Sequence, residues 1–207
     1  MQAMTNRASR SANTKKIVGS DDAILMLSKL GWEIRSIYEN PKDGVAERIY
    51  RSLNCAMTAW HIADWLWMLS SKSQREFLLR FTKAHETQAG TFPVAVQRWC
   101  PYIGLCRQIA TTAKHLTDDF DRSEVWLESV TDDEAPEFAT TLYIFEGDRK
   151  HLDLDVYQET FAAWSALYVQ LGMPKARDVY LACTGESLPQ VTQISITTED
   201  IGEGESQ

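Results

Sequence analysis

Residues 57–67 read MTAWHIADWLW. A histidine and an aspartate, three positions apart, stand inside a run of aromatic and aliphatic side chains. Strands are short, and an apolar run this long, extended on both sides without Gly or Pro, reads as helix. The run belongs to a predicted helix from about Asp43 to Leu69, whose Ile49, Leu53, Ala56, Trp60 and Trp67 follow the helical period of a core-facing stripe. On the same wheel Asn54 and His61 nearly eclipse one another. Asp64 falls on their side, with Met57, Trp65 and Met68 around them. Polar atoms are thus expected along a largely apolar stripe, where a buried group without a partner costs about 1–3 kcal/mol.

Working outward, Ser20 reads as the N-cap of an earlier helix that stops at Asn40-Pro41. Downstream, Ser73 to Glu76 fits a capping box opening a third helix, REFLLRFTKAH. Past Gly90, FPVAVQRW leads as a connection into Pro101, placed in the first turn of a fourth helix where its missing N–H is harmless. Four helices with short connections predict a bundle.

The pattern then changes. EVWLES and FATTLYIFE are rich in β-branched and aromatic residues, Gly147-Asp148 signals a turn, and HLDLDV alternates, so a small antiparallel meander is expected near residues 124–155. Asp155 to Gln158 resembles a second capping box, opening a closing helix that carries Phe161, Trp164, Leu167, Tyr168 and Leu171 on one face. Gly172 and Pro174 end it. The expected fold is therefore mainly α: a four-helix bundle, an antiparallel β meander and a closing C-terminal helix. One domain over residues 20–175 is flanked by a basic leader (1–19) and an extended acidic tail (176–207).

Composition narrows the function. The leader carries Arg7, Arg10, Lys15 and Lys16 but no apolar segment, so no secretory signal is expected. His61 and Asp64 interrupt the most apolar window, so no membrane span is expected either. Cys55, Cys100, Cys106 and Cys183 are scattered, none in a Cys-x-x-Cys pair, and read as reduced thiols of a cytoplasmic protein. A net charge of −8 argues against broad nonspecific binding to nucleic acid but leaves a local basic patch open.

The fourth helix repeats the spacing of the opening stretch. In KHLTD, His115 and Asp118 are again His-x-x-Asp, with Arg107 and Thr111 on the same flank. Were the two helices to face one another, the polar groups would converge. Two chemical sites then follow from residue types. His61, Asp64, His115 and Asp118 supply imidazole and carboxylate at the spacing that helical bundles use for divalent metals, although the usual glutamates from two further helices are missing. Alternatively, His115 serves as a proton-transfer group and Arg107 as a phosphate ligand.

Arg107 and His115 on a late helix of an all-helical bundle resemble the HEPN superfamily, whose members are often RNases of toxin and phage-defence systems and carry Arg-x(4 to 6)-His. Here seven residues separate the pair, a longer spacing. The resemblance implies that Arg107 and His115 are the catalytic residues and RNA the substrate. The segments WHIADW and AKH are also similar to uncharacterised bacterial helical proteins. A third reading is non-catalytic: His61 and Asp64 form a hydrogen-bonded core pair and the acidic surface recognises another protein, while any exposed aromatic surface would suit a homodimer. His85 and His151 are expected at the surface, and Trp60, Trp65, Trp67 and Trp99 in the core.

Overall fold

The computed structural model describes residues 22–86, 91–114, 125–130 and 140–189. Among these residues the fold is mainly α, with a three-stranded antiparallel sheet. The helices are α1 (Asp22–Glu39), α2 (Val45–Leu69), α3 (Lys72–Phe81), α4 (Phe92–Trp99), α5 (Pro101–Lys114), α6 (Asp153–Gln170) and α7 (Lys175–Thr184). The strands β1 (Val125–Val130), β2 (Thr141–Glu146) and β3 (Arg149–Leu152) pair in chain order. The basic leader and the tail from residue 190 onward lie outside the described residues.

The helix placed last by its sequence is the centre of the molecule. Twelve of the 18 residues of α6 are buried, and it packs against α1, α2, α5 and α7 at once. The expected face is present, since Phe161, Trp164, Leu167, Tyr168 and Leu171 are all at or below 8% exposure. Small residues on the other faces, Ala163, Ser165 and Ala166, are buried too, because a helix surrounded by helices needs close approach on every side. Trp164 is fully buried, and its indole N–H donates to the Ala59 carbonyl at 2.9 Å. That bond satisfies the one polar atom of the side chain.

Four local expectations are corrected. FPVAVQRW is not a connection but α4, with Pro93 near its N-terminus. The capping box of α3 sits two residues early: Ser71 Oγ accepts from the Gln74 amide, and Gln74 accepts from the Ser71 amide. HLDLDV divides between strand and helix, since β3 ends at Leu152 and α6 begins at Asp153 without a side-chain cap. The stretch from Lys175, assigned to the tail, forms α7, packed on α1 and α6 and ended by Gly185 at φ 75°.

In the sheet, Leu142 and Ile144 are buried and face the helices, with Ile144 opposite Leu127 on one side and His151 on the other. Gly147, at φ 56°, takes the left-handed conformation that the β2–β3 turn requires. On the opposite side of the domain α1 meets α7 so closely that a Cβ on Gly31 would lie 2.4 Å from Cys183 Sγ and 2.9 Å from Phe161 Cζ. Only glycine permits that approach.

Candidate functional site

The stretch that suggested a buried polar pair lies on the outside. In α2 the fully buried positions are Ser52, Cys55, Ala56, Ala59, Ile62, Ala63 and Leu66. They form the face shared with α1, α5 and α6. The larger Ile49, Leu53, Trp60 and Trp67, expected to form the core stripe, are half-buried at its margins. The helix is therefore rotated relative to the expectation, and small side chains take the centre because three neighbours crowd it. Opposite them, Tyr50, Asn54, Met57, His61, Asp64 and Met68 face solvent. His61 Nδ1 lies 3.5 Å from Asp64 Oδ2, with side chains 54% and 50% exposed. A pair so placed is surrounded by water and holds no core in register.

α2 and α5 do pack together, but by another surface than the one expected. The Arg107 guanidinium lies 5.5 Å from the centre of the Trp60 ring, and its Nη1 donates to Gln97 Oε1 at 3.0 Å. Arg107 is exposed and neither partner neutralises its charge. His115 and Asp118 lie outside the described residues. Of the four residues named for a metal, the described half is thus an exposed pair, and among the described residues no group of three or more His, Cys, Asp and Glu could hold a metal ion.

The buried polar groups belong elsewhere, between α2 and α6. Arg48 Nη2 donates to Asp153 Oδ1 at 2.6 Å, with side chains 4% and 0% exposed, and one turn on Ser52 Oγ meets Tyr157 Oη at 2.7 Å. Asp153 stands in the first turn of α6, where the helix dipole favours an anion. Burial nonetheless raises its carboxyl above the ordinary range, opposed by the Arg48 guanidinium. Arg48 Nε and Nη1 and Asp153 Oδ2 make no hydrogen bond, so the pair is incompletely satisfied. Its signal in the sequence was weak, because an arginine in an acid-flanked first turn reads as surface.

A second part-buried cluster joins α1 to α2: Lys29 donates to Glu33 and to Thr58, and burial raises the Glu33 carboxyl. The thiols nearby are inert. Burial pushes Cys106 up to about 12 and Cys100 up to about 11, and Cys55 also well above its ordinary value, so none supplies a thiolate near neutral pH. His151 also departs from expectation. Its ring stands edge-on to Tyr102 at 5.9 Å, half-buried, with Nε2 enclosed and unbonded.

Set against family models, curated proteins and solved structures, the chain matches none.

Leu25 and Trp32 are exposed on α1, and two further surfaces of the described residues carry apolar groups. One is a cleft of about 670 Å³ between α1, α6 and α7, with Tyr38, Phe161 and Tyr180 among its walls and Arg35 already paired with Glu39 at 2.6 Å. The other is the outward face of α2. No helix of the described residues is long and apolar enough to cross a membrane.

Proposed function

We propose that this protein is a non-catalytic interaction module whose working surface is the outward face of α2. One observation carries the reading: Tyr50, Met57 and Met68 are 66%, 37% and 69% exposed along one line of the longest helix. Half-buried Leu53, Trp60, Trp65 and Trp67 border that line. Single exposed apolar residues are ordinary, whereas these three share one line with the exposed polar groups Asn54, His61 and Asp64, a mixed strip bordered by tryptophan of the kind that marks a contact surface. The polar groups of the interior favour the same reading, since the Arg48–Asp153 pair and the buried thiols are closed to substrate.

A photo-crosslinking residue at position 57, compared with one at the exposed Leu181 of α7, tests it in cell extract. Protein adducts concentrated at position 57 are expected. Equal labelling from both positions removes the proposal.

A second reading keeps RNA as the partner, with Arg107 and His115 in the roles implied by the HEPN resemblance. It is favoured by the exposed Arg107 guanidinium over Trp60, a cation and an aromatic ring on one surface. Cleavage of RNA that is lost in both Arg107→Ala and His115→Ala would support it, and cleavage that survives in His115→Ala would sink it.

A further inference from the structure

The outward face of α2 has an order of its own. Tyr50, Asn54, Met57, His61, Asp64 and Met68 follow one another at spacings of four, three, four, three and four, the a/d spacing of a coiled-coil seam. In an ordinary surface helix that seam is the buried one. Here the core takes the opposite side, where Ser52, Ala59 and Leu66 are fully buried, and the seam is left to solvent.

We infer that this seam binds a second copy of the chain, with the two α2 helices antiparallel about a two-fold axis between Met57 and His61. The inference rests on the proposed interaction surface and names its partner. The spacing reads the same in both directions, so a reversed copy meets the first residue for residue. Tyr50 then faces Met68 of the other copy, Asn54 faces Asp64, and Met57 faces His61. Each pairing is chemically compatible: a thioether against an aromatic ring at the ends, an amide donor against a carboxylate, and a thioether against imidazole at the centre. A parallel arrangement instead sets Asp64 against Asp64, carboxylate on carboxylate. An isologous contact also closes on itself and leaves no open end.

Charge near the seam permits the contact despite a net charge of −8 for the chain. Arg75 lies over Trp67 at 5.2 Å and Arg107 over Trp60 at 5.5 Å, so two cations flank the strip. The seam spans about 27 Å of helix. One helix face of that length is expected to bury less than the roughly 800 Å² per partner of a standard interface, so a reversible association in the micromolar range is expected.

Position 54 decides both the partner and the register. The full chain is followed by sedimentation velocity from about 1 to 200 µM, a range that brackets the affinity expected for so short a seam. Wild type is expected to shift from monomer to dimer. Asn54→Lys places a cation opposite Asp64 of the other copy and should retain or tighten the dimer, while Asn54→Asp sets two carboxylates face to face and should weaken it several-fold. Thermal unfolding of both variants should match wild type, because the position is exposed.

A monomer at every concentration overturns the inference. Adducts at position 57 in extract would then leave the interaction reading standing with another partner, whereas their absence would remove both. Equal weakening by Lys and Asp overturns the antiparallel register, because that is the signature of position 54 facing itself.

Discussion

Arg48 and Asp153 show how little a residue's type says about its surroundings. Removing one member of such a pair strands the other charge where water cannot reach it, and the cost is about 3–5 kcal/mol. Arg48→Met should therefore lower the unfolding free energy measured in urea by that amount, as should Asp153→Asn. The double replacement Arg48→Met with Asp153→Leu should recover most of the loss, because Arg48 Nε and Nη1 and Asp153 Oδ2 have no partners to forfeit. If the double variant is as unstable as the sum of the single ones, the pair is not the unit described. His61→Ala gives the contrast: with its side chain 54% exposed, it should change stability by no more than about 0.5 kcal/mol. The Arg48–Asp153 and His61–Asp64 pairs lie at opposite extremes of depth.

At the scale of elements, the longer helices were readable, whereas the short α4 and α7 and the rotation of α2 were not. The periodicity that marks α2 fits more than one face, because large aromatic residues border the core while Cys55, Ala59 and Ala63 occupy its centre. Which face is buried depends on how many neighbours a helix has, and α2 has α1, α4, α5 and α6. The same crowding explains Gly31. Gly31→Ala should destabilise by about 1–3 kcal/mol through overpacking between α1 and α7. Adding Cys183→Ala should return only part of it, since Phe161 Cζ still lies 2.9 Å from the new methyl. Full recovery in a double-mutant cycle measured by thermal unfolding would show that Cys183 alone sets the approach.

Across the whole molecule the cysteines report on the integrity of the core. Cys55, Cys100 and Cys106 are at most 2% exposed, while Cys183 on α7 is half-buried. An aromatic disulfide reagent at pH 8 should therefore modify Cys183 first in the native protein. The other three should react only as the domain opens, with rates that track its unfolding free energy. Rapid reaction of all four thiols in the folded state would contradict the packing of α2 and α5 on α6.

Much of the candidate surface was visible as spacing before any fold was known: Asn54, His61, Asp64, Met57 and Met68 fall on one line of a helical wheel wherever the helix lies. Local chemistry likewise determined the mainly α class, the stop at Gly172 and an antiparallel meander, because caps, turns and periodicity act over a few residues. The tertiary structure alone decided that this line faces outward, that α6 is central, and that the buried charge pair joins residues 105 positions apart. Depth is a property of everything packed around a residue. A pattern within one helix specifies which side chains share a face, and only the neighbouring helices determine which face meets water.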